Sequence, residues 1–151
     1  MIRNFSGSYA FLSNFYTSNM RGRTTTVEHY FQAAKTLVPD EQQAILAARD
    51  PGMAKKLGRK ATLRADWDEV KVRVMRLNLR WKFADPELRQ RLISTYPSGL
   101  VEGNQWHDNF WGNCTCGRPS CAEPGQNNLG RLLMELRREL TLHYALAEDK
   151  S

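Results

Sequence analysis

The sequence predicts a compact, mainly helical α+β domain with short N-terminal strands. From about residue 24 onward, apolar residues recur at the i, i+3, i+4 and i+7 spacing of buried helix faces, and most of these segments begin at a capping residue. Residues 1–24 are instead aromatic and irregular, with Gly7 and Gly22 as breaks, which is typical of short strands and loops. Because the 151 residues contain no repeat and no long linker, residues 1–151 are predicted to form a single domain.

The first predicted helix carries an apolar face and a polar face. Thr25 as N-cap and Glu28 three residues later match the capping-box pattern, and Pro39 lies just past the end of the helical pattern. Glu28, Gln32 and Lys35 fall at i, i+4 and i+7 beside the apolar stripe. The capping box by itself accounts for Glu28. Glu28 and Lys35 can form a salt bridge, or they can serve as the acid/base and the amine nucleophile at a sugar carbon.

Later helices are predicted where a capping residue precedes an apolar stripe. Their starting signals are Asp40, Asp50-Pro51, Asp66, Asp85-Pro86 and the asparagines before Leu129. The predicted core positions are Val70, Val74, Leu77 and Trp81 in the Asp66 helix, and Leu129, Leu132, Leu133, Leu136 and Leu140 in the last helix.

Composition and charge exclude several classes and suggest an anionic partner. With 41% hydrophobic and 25% charged residues the chain is neither disordered, collagen-like nor a coiled coil. No apolar run approaches the roughly 20 residues of a membrane span, and the N-terminus lacks the pattern of a secretion signal, so we expect a cytoplasmic protein with no membrane partner.

The net charge is +6, and residues 49–64 hold six basic residues against Asp50 alone. Such a block attracts nucleic acid or a phosphorylated small molecule, or is a solvated helix face.

The segment 97–128 is predicted to be a long functional loop, rich in glycine, proline, aromatic residues and cysteine. Within it Trp106 and Trp111 flank Asp108. Two indoles beside a carboxylate suit a flat heterocycle, because a nucleobase stacks on aromatic faces while the acid acts on an adjacent atom. The alternative is a loop that its tryptophans pin to the core. Asn127 and Asn128 follow, where backbone N–H groups at a helix start suit a phosphate.

Three cysteines, Cys114, Cys116 and Cys121, lie within eight positions of the same loop. Together with His107 they can supply the four ligands of a structural zinc site, although the spacing is not that of a recognised zinc ribbon or finger. Buried or incidental thiols are the alternative, and His107 is then a polar loop residue. No cofactor is required by the predicted chemistry.

In addition, the chain resembles the NADAR, or YbiA-like, N-glycosidase family over nearly its whole length. The early motifs are Leu12-Ser13-Asn14-Phe15, Val27-Glu28-His29-Tyr30-Phe31-Gln32-Ala33 with Lys35, Leu57-Gly58-Arg59-Lys60, and Trp67. The late motifs are Leu100-Val101-Glu102, Asp108, Trp111-Gly112, and Gly125-x-Asn127-x-Leu129-Gly130 followed by Leu132-Leu133-Met134-Glu135-Leu136-Arg137. The insert from Cys114 to Cys121 is not required by the family pattern.

The resemblance implies a mostly helical enzyme that hydrolyses the bond between a ribose and a nitrogen heterocycle. Its substrates are either ADP-ribose attached to guanine in nucleic acid, which the basic block favours, or phosphorylated ribosyl-aminopyrimidine intermediates of riboflavin synthesis. The expected catalytic residues are Glu28, Asp108 and Lys35, with Lys35 a covalent participant through the opened sugar. The expected substrate contacts are Trp67, Trp111, Trp106, Asn14, Phe15, Arg59, Lys60 and Asn127. Two non-enzymatic alternatives are a binding module for ADP-ribose or nucleic acid and a zinc-stapled interaction surface.

Overall fold

A computed structural model describes residues 1–149 and confirms the predicted fold class: the chain is mainly helical with a few short strands. It divides into two compact units. One is continuous, Asn14–Asp85, and is called the central unit here; the other, called the split unit, combines residues 1–13 with the chain from Pro86 onward. The prediction of a single domain stays a prediction.

The central unit begins with a hairpin and continues through four helices. Strands β1 (Ser18–Met20) and β2 (Arg23–Thr25) are antiparallel. Arg21 and Gly22 between them both have positive φ, 56° and 78°, as a tight hairpin turn of matching twist requires. The helices are α1 (Val27–Ala33), α2 (Pro39–Leu46), α3 (Pro51–Lys60) and α4 (Trp67–Lys82). A core cluster of Ala33, Ile45 and Ala54 joins the first three helices.

Two predicted features of α4 need correction. In α4, Val70 is buried as predicted but Leu77 is 45% exposed, because the buried face is rotated toward Met75, Leu79 and Lys82. Asp66 precedes α4 without capping it, since its carboxylate binds the Arg64 guanidinium at 2.6 and 3.0 Å instead. By contrast, α3 follows the prediction: Asp50 accepts a 2.7 Å hydrogen bond from the backbone N–H of Met53, and Pro51 begins the helix.

The split unit packs two helices with an irregular loop. It contains a short 3-10 helix (Gly7–Leu12), α5 (Pro86–Ile93), β3 (Gly103–Asn104), β4 (Asn113–Cys114), a second 3-10 turn (Pro119–Cys121) and α6 (Asn128–Asp149). β3 and β4 are parallel. Leu129, Leu132, Leu133 and Leu136 of α6 are buried, as predicted. Among residues 1–149 no helix combines the length and apolar character that crossing a bilayer demands.

Candidate active site

Glu28 lies at the start of α1, but the helix is capped one residue later than the sequence predicts. The Oγ1 of Thr26, not Thr25, accepts the N–H of His29 at 3.2 Å. Thr25 is the last residue of β2 and pairs with Ser18, so the extended backbone reaches Thr25 before the helix can begin. Glu28 is therefore not at the capping-box position, and capping no longer accounts for it.

The side chain of Glu28 is buried and receives a hydrogen bond from the next turn of α1. Glu28 is 7% exposed and Gln32 is 3% exposed. The Nε2 of Gln32 donates to the Oε1 of Glu28 at 2.7 Å. An amide donor to a carboxylate favours its charged form, so Gln32 offsets part of the cost of burying that charge.

Lys35 does not continue the helix as the sequence predicts, because α1 ends at Ala33. Lys35 lies in the following turn, where its N–H donates to Gln32 O at 3.1 Å and its carbonyl accepts the N–H of Arg64 at 2.7 Å. Burial lowers the pKa of Lys35; Glu28 opposes that shift, while Lys55 and Arg59 add to it. Glu28, Gln32 and Lys35 are called the α1 cluster below.

Two predicted contact residues, Trp67 and Asn14, contact helix α1. Trp67 is 8% exposed, and its ring lies 5.0 Å from that of Phe31 between centroids, tilted by 59°. The carbonyl of Asn14 accepts the N–H of Glu28 at 3.1 Å, and its Nδ2 lies 3.6 Å from the sulfur of Met75. The Oδ1 of Asn14 is buried and has no hydrogen-bond partner among the residues that the structure describes. Phe15, in contrast, is 45% exposed.

Helix α3 approaches the α1 cluster closely through Gly58. A Cβ at this position would overlap the side-chain amide of Gln32, and would lie 2.8 Å from its Cδ. Glycine is therefore needed at position 58 for the two helices to pack as they do. The next two residues, Arg59 and Lys60, are exposed in the last turn of α3.

In the split unit, Asp108 organises its own loop. Its Oδ1 accepts the backbone N–H groups of Phe110 at 3.1 Å and Trp111 at 2.9 Å. Buried Asn104 holds the backbone of the same loop at Trp106 and Asp108. Its Oδ1 accepts the N–H groups of both residues, and its Nδ2 donates to Asp108 O at 2.8 Å. Sequence reasoning did not single out Asn104; its position after Gly103 and two residues before Trp106 is typical of such an Asx turn.

The two loop tryptophans differ in exposure. Trp106 is 60% exposed, so its indole face is open to solvent and is not pinned in a core. Trp111 is half-buried, with its ring 4.8 Å from that of Phe110 in an edge-on arrangement. Of the two interpretations of this loop, the exposed indole of Trp106 favours a binding surface over a packing anchor.

The backbone N–H groups predicted as a phosphate seat before α6 have hydrogen-bond partners within the protein. The N–H groups of Asn127, Asn128 and Leu129 donate to the carbonyls of Gly112, Phe110 and Trp111, respectively, at 3.0–3.1 Å. The side chain of Asn127 is also engaged, since it donates to Leu100 O at 2.9 Å and accepts the N–H of Glu102 at 3.0 Å. These N–H groups therefore tie the loop to the start of α6.

The four predicted zinc ligands come together in the split unit. The ligand atoms of His107, Cys114, Cys116 and Cys121 all lie within 4.8 Å of one another, and the cysteines are unpaired thiols. Burial alone would raise the pKa of Cys114, but hydrogen bonds from Cys116, His107 and Cys121 outweigh it and bring that pKa to about 6.

The chain is mainly helical and carries a buried carboxylate beside an amine of lowered pKa. It also carries a loop in which two tryptophans flank an acid. These features are those expected of the family that the sequence motifs indicate. The chain belongs to the NADAR family, since the NADAR domain model matches residues 3–141. It is 40% identical over 143 residues to N-glycosidase YbiA of Escherichia coli (strain K12), a match that covers 91% of this chain and 85% of that protein.

The same resemblance extends to a larger protein and to a solved structure. The chain is 40% identical over 128 residues to the chloroplastic riboflavin biosynthesis protein PYRR of Zea mays, and this match covers 76% of the chain and 19% of PYRR. An NMR structure of E. coli YbiA matches with a TM-score of 0.79 at 36% identity, over 96% of this chain and 89% of that one. The predicted family and fold are thus confirmed.

Proposed function

We propose that the protein is an N-glycosidase that cleaves the bond between a ribose and a nitrogen heterocycle. The observation that carries this proposal is the α1 cluster: a buried carboxylate held by an amide donor, beside an amine whose pKa is lowered. Relatives named N-glycosidase support the class of reaction.

The proposed role of Glu28 follows from the chemistry of glycosyl cleavage. As the heterocycle departs, positive charge develops at the sugar carbon, and a fixed carboxylate stabilises it or activates a water molecule. Because Glu28 is buried and its charged form receives the Gln32 hydrogen bond, it is pre-arranged for that task. The unpaired Oδ1 of Asn14 is available to accept a sugar hydroxyl.

Lys35 offers a second route through the ring-opened sugar. Burial lowers the pKa of Lys35, which favours the neutral amine, and a neutral amine can attack the C1 aldehyde, releasing water and forming a Schiff base. Sodium cyanoborohydride added during turnover would reduce that adduct to a stable amine, which peptide mass spectrometry would locate. Lys35→Arg removes the adduct, whereas exposed Lys56→Arg is the matched control. Full turnover of Lys35→Arg without a trapped species would leave direct water attack as the route.

Asp108 is proposed as a second catalytic acid on the basis of the family motif. Its Oδ1 accepts two backbone hydrogen bonds, which hold the carboxylate in one orientation. Trp106, with its exposed indole, is proposed to stack on the departing heterocycle. Trp67, Trp111, Phe15 and Asn127 stay predicted contacts.

The substrate we favour is ADP-ribose linked to guanine in nucleic acid. The +6 charge and the exposed Arg59 and Lys60 on α3 supply a surface for a polyanion or a pyrophosphate. The second candidate is a phosphorylated ribosyl-aminopyrimidine, which the similarity to a riboflavin biosynthesis protein favours.

One comparison separates the candidates. Purified protein is incubated with guanine-ADP-ribosylated DNA and, separately, with the phosphorylated aminopyrimidine, and the release of ADP-ribose from the first and of ribose phosphate from the second is measured. We expect faster release of ADP-ribose from the DNA, and the loss of that activity in Glu28→Gln but not in Glu69→Gln, a change at an exposed acid of α4. Turnover of the aminopyrimidine alone would select the second substrate, and binding with no turnover of either would indicate a non-catalytic module.

A further inference from the structure

Four side chains of the split unit form a cluster that the proposed glycosidase chemistry does not use. They are His107, Cys114, Cys116 and Cys121, called the thiol cluster here. We propose that they bind one structural zinc ion through the Nδ1 of His107 and three cysteine thiolates.

The distances in the thiol cluster match those of a tetrahedral zinc site. The Nδ1 of His107 lies 3.3 Å from the sulfur of Cys121, 3.5 Å from that of Cys116 and 3.8 Å from that of Cys114. Zinc bonds of about 2.3 Å to sulfur and 2.0–2.1 Å to nitrogen, set at tetrahedral angles, separate nitrogen from sulfur by about 3.5 Å. All three nitrogen–sulfur distances therefore lie near this value, and no two of the four ligand atoms are more than 4.8 Å apart.

Separate backbone elements hold these ligands in place. Cys114 belongs to β4, whose pairing with β3 fixes its position, and Cys121 ends the 3-10 turn from Pro119. His107 adopts a left-handed backbone with φ of 69°, a conformation that is uncommon outside glycine and orients its ring within the loop. Strain of this kind persists where the surroundings, or a bound group, require it.

A neighbouring asparagine supplies the outer hydrogen bonds that metal thiolates usually receive. The Nδ2 of Asn109 donates to the sulfur of Cys121 at 3.4 Å, and its Oδ1 accepts the N–H of Cys114 at 2.9 Å. Such contacts orient the ligands and disperse the charge of the thiolates.

The donor set favours zinc over a disulfide. A disulfide would use two of the three thiols, leave the third unpaired and give the imidazole no part. Three thiolates and one imidazole instead complete a closed four-ligand zinc site, which is structural because no position is left for substrate. As zinc binds, each thiol that is still protonated releases its proton. The bound ion would join both ends of the loop that carries Trp106 and Asp108.

Metal analysis of the full chain tests this proposal independently of enzymatic activity. The zinc content of protein purified without chelator is measured by inductively coupled plasma mass spectrometry, and we expect one zinc ion per chain. Cys116→Ser and His107→Asn should lose the metal, whereas His143→Asn, the same change at an exposed histidine of α6, should keep it. Cobalt added to the metal-free wild-type protein should give the intense visible absorption of a tetrahedral thiolate site, and should not do so in Cys116→Ser.

Several results would overturn the proposal. One is a zinc content well below one per chain that persists after reduction of the thiols and addition of zinc. Another is unchanged zinc in both ligand variants. A third is a disulfide, detected as an intact mass that is lower than that of the thiol form by two hydrogen atoms, in a protein that takes up no zinc after reduction. Stoichiometric iron or copper in place of zinc would also contradict it.

Discussion

The Nε2 of Gln32 donates a 2.7 Å hydrogen bond to the Oε1 of Glu28, one helical turn earlier on the buried face of α1. This bond accounts for how an acid can lie buried at the start of a helix without serving as its cap. It also makes Gln32 a positioning residue for the proposed chemistry.

Replacing Gln32 should weaken catalysis without unfolding the protein. A hydrogen bond to a charged group contributes roughly 1.5–3 kcal/mol, so Gln32→Met should lower kcat roughly 10- to 150-fold. Gln32→Glu places a second carboxylate beside Glu28, which raises the pKa of the pair, so the acidic limb of the pH–rate profile should move to higher pH. Unchanged profiles in both variants would contradict a role for this bond.

Gly58→Ala on the neighbouring helix α3 should displace the Gln32 side chain and destabilise the protein. Because the added methyl group overlaps the Gln32 amide, we expect a loss of about 1–3 kcal/mol in unfolding free energy, reduced by the better helix propensity of alanine. Denaturant-induced unfolding measures this loss. The double variant Gly58→Ala with Gln32→Ala is the control: if the overlap is the cause, Gly58→Ala costs little in that background, and an equal cost in both backgrounds would assign the effect elsewhere.

Lys82 should make stability depend on pH. It is fully buried at the end of α4, and burial lowers its pKa to about 7, whereas the unfolded chain holds that proton to about pH 10.4. Between these values the unfolded state binds one more proton, so stability rises with pH by up to about 1.4 kcal/mol per unit.

Lys82→Met removes this contribution. The difference in unfolding free energy between the variant and wild type should be largest near pH 6 and should shrink steadily toward pH 10. Parallel pH curves for the two proteins would show that Lys82 does not titrate in this range. Comparing the two proteins at each pH cancels the contributions of all other titrating groups.

Asn109→Asp should weaken zinc binding while leaving the four ligands in place. The change keeps the acceptor for the Cys114 N–H but replaces the donor to the Cys121 sulfur with a negative charge. Loss of such an outer contact typically lowers metal affinity about 10- to 100-fold, which a competition titration with a chromogenic chelator measures. An unchanged affinity would mean that the Asn109 amide does not support the site.

Arg59 and Lys60 are expected to bind nucleic-acid phosphates, and the salt dependence of binding tests this. If both contact phosphates, Arg59→Ala with Lys60→Ala should reduce the slope of log K against log salt by about 2. Arg131→Ala with Arg138→Ala, two exposed arginines of α6, is the charge-matched control. Equal slopes in the two double variants would argue against a nucleic-acid role for the end of α3.

The family, the mainly helical class and most helix starts could be predicted from the amino-acid sequence, because they depend on local spacing and capping residues. Asp50 and Pro51 begin α3 as predicted, and Leu129, Leu132, Leu133 and Leu136 of α6 are buried in the core. The sequence also indicated which four residues are candidates for a metal site, since ligand types and proximity in the chain are visible without a fold.

Only the tertiary structure decided how those residues are used. Pairing of β2 through Thr25 moved the cap to Thr26 and freed Glu28 from a capping role, while the close approach of α3 at Gly58 enclosed the side chain of Gln32. The N–H groups expected to bind phosphate before α6 were instead taken by carbonyls of residues 110–112. Each of these outcomes depends on contacts between segments distant in the chain, which local patterns do not encode.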